Sequence, residues 1–180
     1  NPDARLDALG VLPRLGMKAV PVLREFLGEP DPLIRETAVD NLVQAGGLRI
    51  IPILEQHLET EEDEEVVYAV LKGLGRVRSK TGLSLLISYL DNPSEDLVIA
   101  ALDSLGRLES KRAVPGVIET LEDPRWRVRV AALQAVAKLE AKDAAEAVAA
   151  LLDDQDTFVR YKAVQTLTRL GVAGYSDELE

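Results

Sequence analysis

The chain has no cysteine, which excludes disulfides, thiolate nucleophiles and cysteine-based zinc sites. Histidine occurs once, at His57, so a Ser-His-Asp arrangement would have to pass through that one ring, and no serine sits in a nucleophile-elbow motif. Aromatic residues make up 4% of the chain against 47% hydrophobic, which points to a core of Ala, Leu and Val at close helix spacing. There is no apolar run long enough to span a bilayer and no signal-peptide pattern, so membrane insertion is not expected and a cytoplasmic location is the default. Positive charge is in deficit: 21 Lys and Arg face 31 Asp and Glu, for a formal net charge of −10. That balance argues against nucleic acid as a partner, because neutralising phosphates needs a basic surface.

What the sequence does contain is a repeat. From Val128, the residues Val128, Ala131, Ala132, Val136 and Leu139 recur at helical spacing, a polar break follows, and Ala144, Val148, Leu151 and Leu152 resume the pattern. Two short amphipathic helices joined by a turn pack as a hairpin, and the flank left over must be covered by the next hairpin. The small residue at the centre of each first helix gives Ala8, Ala38, Val70, Ala101, Ala132 and Ala163, at steps of 30 to 32 residues. Near the end of each second helix, Leu27, Leu58, Leu90, Leu121 and Leu152 give the same period. The expected fold is all-α, a right-handed α-solenoid of about six hairpins in a single array over residues 1–180. The repeats fall at about 1–30, 31–62, 63–93, 94–124, 125–155 and a partial 156–180. Leu6, Leu9 and Leu12 follow no polar capping helix, so the chain reads as a segment of a longer array; the oligomeric state is left open.

Several residues carry a family resemblance. They are Asp31 with Ile34 and Arg35, Asp123-Pro124 with Val128-Arg129, Asp156 with Val159-Arg160, and the second-helix openings Ala19-Val20-Pro21 and Ala113-Val114-Pro115. In these the chain resembles the short HEAT-like repeats first associated with phycobilisome lyases. The resemblance implies an α-solenoid and a binding role. It also implies an alternative, a bilin-lyase-like subunit or chaperone for a tetrapyrrole-carrying protein, and a third reading as a HEAT-like nucleic-acid binder. Di-iron HEAT-like hydroxylases are set aside, because one histidine cannot supply their ligands. No cofactor and no metal are expected, and the chain reads as a non-enzyme.

In HEAT-like stacks the second helices line the concave face. Helical geometry turns Val20, Leu23 and Leu27 inward and leaves Val22 and Glu25 outward, with Ile53 and Gln56, Leu85 and Ser88, and Glu119 at matching positions. Phe26, His57 and Tyr89 flank this row. These residues are the candidate groove for a protein or peptide partner that is basic and amphipathic. Ile53 and Leu85 are expected to be exposed footholds, and the acidic run from Glu59 to Glu65 a solvated turn that holds no calcium. A second candidate is the edge patch Arg125, Trp126 and Arg127, because an exposed Trp beside Arg is typical of interface hot spots. Bases such as Arg14, Arg49, Arg76, Lys80, Arg107, Lys111 and Lys138 gather at the turns within hairpins and form a basic edge opposite the acidic one.

Overall fold

The computed structural model describes residues 2–78 and 81–172, with the side chains of residues 2–4 outside that description. Among the described residues there are α-helices and short 3₁₀ turns and no strand. The first helices of the hairpins are α1 (Pro2–Val11), α3 (Pro32–Gly46), α5 (Glu64–Arg76), α7 (Glu95–Leu108), α9 (Trp126–Leu139) and α11 (Thr157–Leu170). The second helices are α2 (Val20–Phe26), α4 (Ile51–Leu58), α6 (Leu83–Ser88), α8 (Val114–Glu119) and α10 (Ala145–Ala150). The sixth second helix, expected over 176–180, and Lys80 lie outside the described residues.

The chain divides into two compact units, residues 1–85 and 86–180, with α6 spanning their boundary. In the first, α3 packs on α1, α2 and α5 and buries Leu9, Leu23, Ile34, Leu42, Leu54 and Leu74. In the second, α9 packs on α7, α8 and α11 around Leu105, Val117, Val128, Ala132, Val136 and Ala163. The helical spacing read from the sequence marks most of the core, with exceptions: Leu58, Leu151 and Leu152 are half-buried, and Ala8 is exposed while its neighbour Leu9 is buried.

Helix starts follow local chemistry. The side chains of Asp31, Asp63 and Asp156 accept hydrogen bonds from first-turn amides of α3, α5 and α11, satisfying donors that have no partner within the helix. Pro21, Pro52 and Pro115 open α2, α4 and α8, where a missing N–H costs nothing.

The ends of the first helices obey a ruler that composition hides. Gly16, Gly47, Arg78, Glu109, Glu140 and Gly171 all have positive φ, between 49° and 60°, and each lies 31 residues after the last. The sequence conceals it because only three of the six are glycine. Gly47 combines φ 53° with ψ −134°, a backbone state that a Cβ disfavours even though nothing lies within 4 Å of the place it would occupy. Gly47→Ala should therefore cost about 1–3 kcal/mol from backbone strain alone. Glu140, at φ 49° and ψ 44°, is the reverse case, and Glu140→Gly should gain up to about 1 kcal/mol. Urea unfolding of both variants checks this; equal midpoints would contradict it.

Candidate functional site

Four of the turns between repeats share one hydrogen-bonding scheme. A side chain two residues before the helix cap accepts the amide of the cap residue: Glu61 from Asp63 at 3.0 Å, Asn92 from Ser94 at 2.9 Å, Asp123 from Arg125 at 2.8 Å and Asp154 from Asp156 at 2.8 Å. Four residues after the cap of α3, α9 and α11 an arginine clamps the turn. Arg35 Nη1 donates to the carbonyls of Glu29 and Pro30 at 2.9 and 3.0 Å, and Arg129 Nη1 to those of Asp123 and Pro124 at 2.8 and 3.1 Å. The rest of each guanidinium forms a two-pronged pair with the carboxylate of the following turn, Arg35 with Glu61 at 2.8 and 2.8 Å and Arg129 with Asp154 at 2.8 and 2.9 Å. This is the physical content of Arg35 and Arg129 in the sequence pattern; Arg160 repeats the carbonyl bonds, to Asp154 and Gln155 at 2.7 and 3.3 Å, and turns Nη2 to Thr157 Oγ1 at 2.9 Å.

Two expectations change as a result. Glu61 is not part of a solvated acidic run, because its side chain is only 3% exposed and is held by Arg35. Nor is Arg125 a free hot-spot cation. The clamp position in its preceding repeat is Val98, and Arg125 reaches back to take over: Nη1 donates to the carbonyls of Asn92 and Pro93 at 3.3 and 3.0 Å, while Nε and Nη2 grip Asp123 at 2.9 and 2.8 Å. Arg125 beside it holds the Asp123 carboxyl below the usual carboxylate range.

In the first unit, the second-helix face carries Val22, exposed at 43%, with Glu25 and Gln56 exposed and Phe26 half-buried. Ile53 and Leu85 are half-buried, which corrects their reading as exposed footholds: each has part of its side chain in the packing, so charging either would disturb the fold. Arg24 donates to Gln56 Oε1 at 2.9 Å, and Arg24, Ile53, Gln56, His57 and Thr60 line a shallow cleft of about 280 Å³. Beside it a larger cleft of about 500 Å³ runs between Leu27, Gly28, Glu29, Arg35, His57 and the acids Glu61, Glu62 and Asp63. His57 Nε2 lies 3.0 Å from Glu61 Oε2 but off the ring N–H direction, so the contact is electrostatic and Nε2 has no aligned hydrogen-bond partner. Burial pushes the imidazole pKa down, and Arg35 adds to this against the opposing pull of Glu61.

In the second unit, Ser88 and Glu119 are exposed and Tyr89 is half-buried, its phenol pKa pushed up by that burial. Ile87, Leu90 and Gly116 floor a cleft of about 250 Å³ whose rim carries Asp91, Glu119, Glu122 and Asp123. Glycine keeps that floor open, since a Cβ at Gly116 would sit 3.0 Å from Leu90 Cδ1. On the first helices the structure assembles an aromatic patch. Trp126 is 44% exposed, Phe158 46% and Tyr161 54%; Trp126 meets Phe158 edge to face at 6.2 Å, Phe158 stacks on Tyr161 at 6.3 Å, and Lys162 Nζ lies 5.4 Å from the Phe158 centroid. Arg127 pairs with Glu95 at 2.8 Å. The sequence reading missed Phe158 and Tyr161; the available signal was an aromatic pair three apart in the helix one repeat after Trp126. The basic edge is partly neutralised, since Arg76 pairs with Asp40 while Arg107 and Lys138 share Asp103.

Among the described residues no group of three or more His, Asp or Glu side chains is placed to hold a metal ion, and no helix is long and apolar enough to cross a membrane. The models for HEAT repeats match residues 1–70, 51–121 and 114–180, covering the chain from end to end. The chain belongs to the HEAT-repeat family. A HEAT repeat-containing taxis protein of Halobacterium salinarum is 36% identical over 83 residues, 44% of this HEAT-repeat chain and 20% of that relative. The chain thus spans about a fifth of the length of the curated relative it matches. Among solved structures, the complex of CpcE and CpcF of phycocyanin lyase from Nostoc sp. PCC7120 is similar, with a TM-score of 0.70 at 20% identity over 83% of this chain and 98% of that one. A designed armadillo repeat protein in complex with the peptide (KR)4 has a TM-score of 0.59 at 18% identity, over 92% of this chain and 91% of that one. These likenesses place the fold among HEAT and armadillo helical repeats.

Proposed function

We propose that this HEAT-repeat chain is a non-catalytic scaffold that receives a basic, amphipathic segment of another protein against its second-helix faces, within a single array of six repeats. The observation that carries the reading is the composition of two clefts beside α4 and α8, in which apolar lining from Leu27 or from Ile87, Leu90 and Gly116 is rimmed by carboxylates. Such a surface suits apolar anchors interleaved with cations, with burial holding the complex and charge speeding the encounter. The (KR)4 peptide bound by the armadillo neighbour is a ligand of that charge, and a scaffold role agrees with a HEAT-repeat relative named for taxis. The second reading, a subunit handling a tetrapyrrole-carrying protein, draws on the likeness of fold to the phycocyanin lyase complex; visible colour taken up from a bilin solution would favour it.

The test is fluorescence anisotropy with a labelled peptide alternating leucine and arginine. Glu25 and Glu119 are exposed on the two second-helix faces, so Glu25→Lys with Glu119→Lys spares the core. The pair should weaken binding about tenfold or more, while Asp143→Lys in a hairpin turn changes it little, and added salt should weaken the wild type. Equal affinity for all three proteins would remove the proposal.

A further inference from the structure

The larger cleft of the first unit has features of a site for one kind of side chain. Its volume, about 500 Å³, exceeds what a single long side chain fills and leaves room for the adjoining backbone. Arg35 cannot serve as a counter-ion for an incoming anion, since its guanidinium is already spent on Glu61 and on the carbonyls of Glu29 and Pro30. Once Arg35 and Glu61 cancel, the remaining charge on the wall is negative. Glu62 is exposed, and no pairing partner for it is seen among the described residues.

The second and independent feature is His57. Its side chain is only 10% exposed, it lines the cleft, and its Nε2 is shut off from solvent without an aligned partner. Whichever tautomer the ring adopts, the contact with Glu61 Oε2 at 3.0 Å is unsatisfied. With the proton on Nδ1, two acceptors face each other; with the proton on Nε2, it points off the carboxylate. A buried polar atom left this way costs free energy, and a donor in the cleft that His57 lines would recover it once the ring turns toward it. A guanidinium brings five donors in a planar fork and sheds water more readily than an ammonium, so it suits two acceptors side by side better than lysine does. The equivalent positions in other repeats, Phe26, Tyr89, Thr120 and Leu151, offer no such nitrogen.

The geometry points to this cleft as an arginine-anchor site, the place where one arginine of the basic segment docks against Glu61, Glu62 and His57. The inference rests on the scaffold reading above and adds to it a site and a preferred residue.

The experiment is an NMR titration of the full chain with three small probes: the N-acetyl methylamides of arginine, lysine and glutamine. The arginine probe should saturably shift the amides of Gly28, Thr60 and Glu62 and the ring signals of His57, with the lysine probe at least about threefold weaker and the glutamine probe without effect. Glu62→Gln should weaken the arginine probe about two- to fivefold. His57→Phe, which installs the residue found at Phe26, should keep the fold and abolish the preference for arginine over lysine. Equal shifts from arginine and lysine in the wild type, an unchanged preference in His57→Phe, or shifts confined to other parts of the chain would each overturn the inference. Should the leucine-arginine peptide bind while no probe moves the cleft signals, the scaffold reading survives and the anchor site does not.

Discussion

Arg129→Ala should unfold at markedly lower urea than the wild type, with a loss of about 3 kcal/mol or more. The Arg129 side chain is 6% exposed and that of its partner Asp154 7%, so the substitution strands a buried carboxylate and also releases the carbonyls of Asp123 and Pro124. In the wild type, burial works to raise the Asp154 pKa, but the bonds from Arg129 and from the Asp156 amide outweigh it, and the carboxyl titrates below its ordinary value. A depressed folded pKa contributes stability that is present above the unfolded value and is lost as the pH falls through the folded one. Without Arg129 that depression disappears while burial remains, so the deficit of the variant should be full at pH 7 and narrow as the pH falls through about 4. The control is Arg127→Ala, whose pair with Glu95 lies at the surface with Arg127 55% exposed; it should cost less than about 1 kcal/mol. Similar losses from the two substitutions would mean that the clamp is ornamental.

Arg35→Met is the second large effect, and its deficit narrows in a higher pH range. Glu61 is as buried as Asp154, but here an imidazole stands 3.0 Å away. In the wild type burial, with a smaller part from Arg35, lowers the His57 pKa. Removing Arg35 deletes one of the causes that lower the His57 pKa and leaves the Glu61 carboxylate in want of a cation, so the folded pKa of His57 should rise. Because the folded pKa of His57 is then higher in the variant than in the wild type, the variant recovers part of its lost stability as the pH falls and the ring takes up a proton. The variant should therefore lose about 2–3 kcal/mol at pH 8 and distinctly less at pH 6. Because the chain has a single histidine, ring NMR reads that titration without overlap. A loss that is the same at both pH values, or one that persists in Arg35→Met with His57→Phe as a pH dependence, would contradict the assignment of Glu61 and His57 as a coupled pair.

These two clamps show why the fold was legible in the sequence and the site only partly. Apolar spacing places Leu23, Ala132 and Val136 in the core because burial of one helical stripe leaves little freedom. The proline and aspartate positions are equally local, as at Pro115 and Asp156. Glu61, in contrast, looks like one acid among several, and only the reach of Arg35 from the preceding repeat draws it inward. Arg125 is misread for the same reason: its role follows from Val98, a residue 27 positions away that cannot make the clamp. Trp126 stood out as an oddity, but the patch it forms with Phe158 and Tyr161 depends on two first helices packing side by side. Ile53 and Leu85 were assigned to the right face and the wrong depth, since a helical wheel gives direction and not the height of neighbouring side chains.

Paramagnetic relaxation locates the partner on the chain. A leucine-arginine peptide carrying a nitroxide would be added to the isotopically labelled chain and amide broadening mapped residue by residue. Broadening is expected at Val22, Gln56 and Thr60 in the first unit and at Gly116 and Glu119 in the second, with the first-helix amides of Trp126, Phe158 and Tyr161 spared. Broadening confined to Trp126, Phe158 and Tyr161 would place the partner on the aromatic patch and contradict the account.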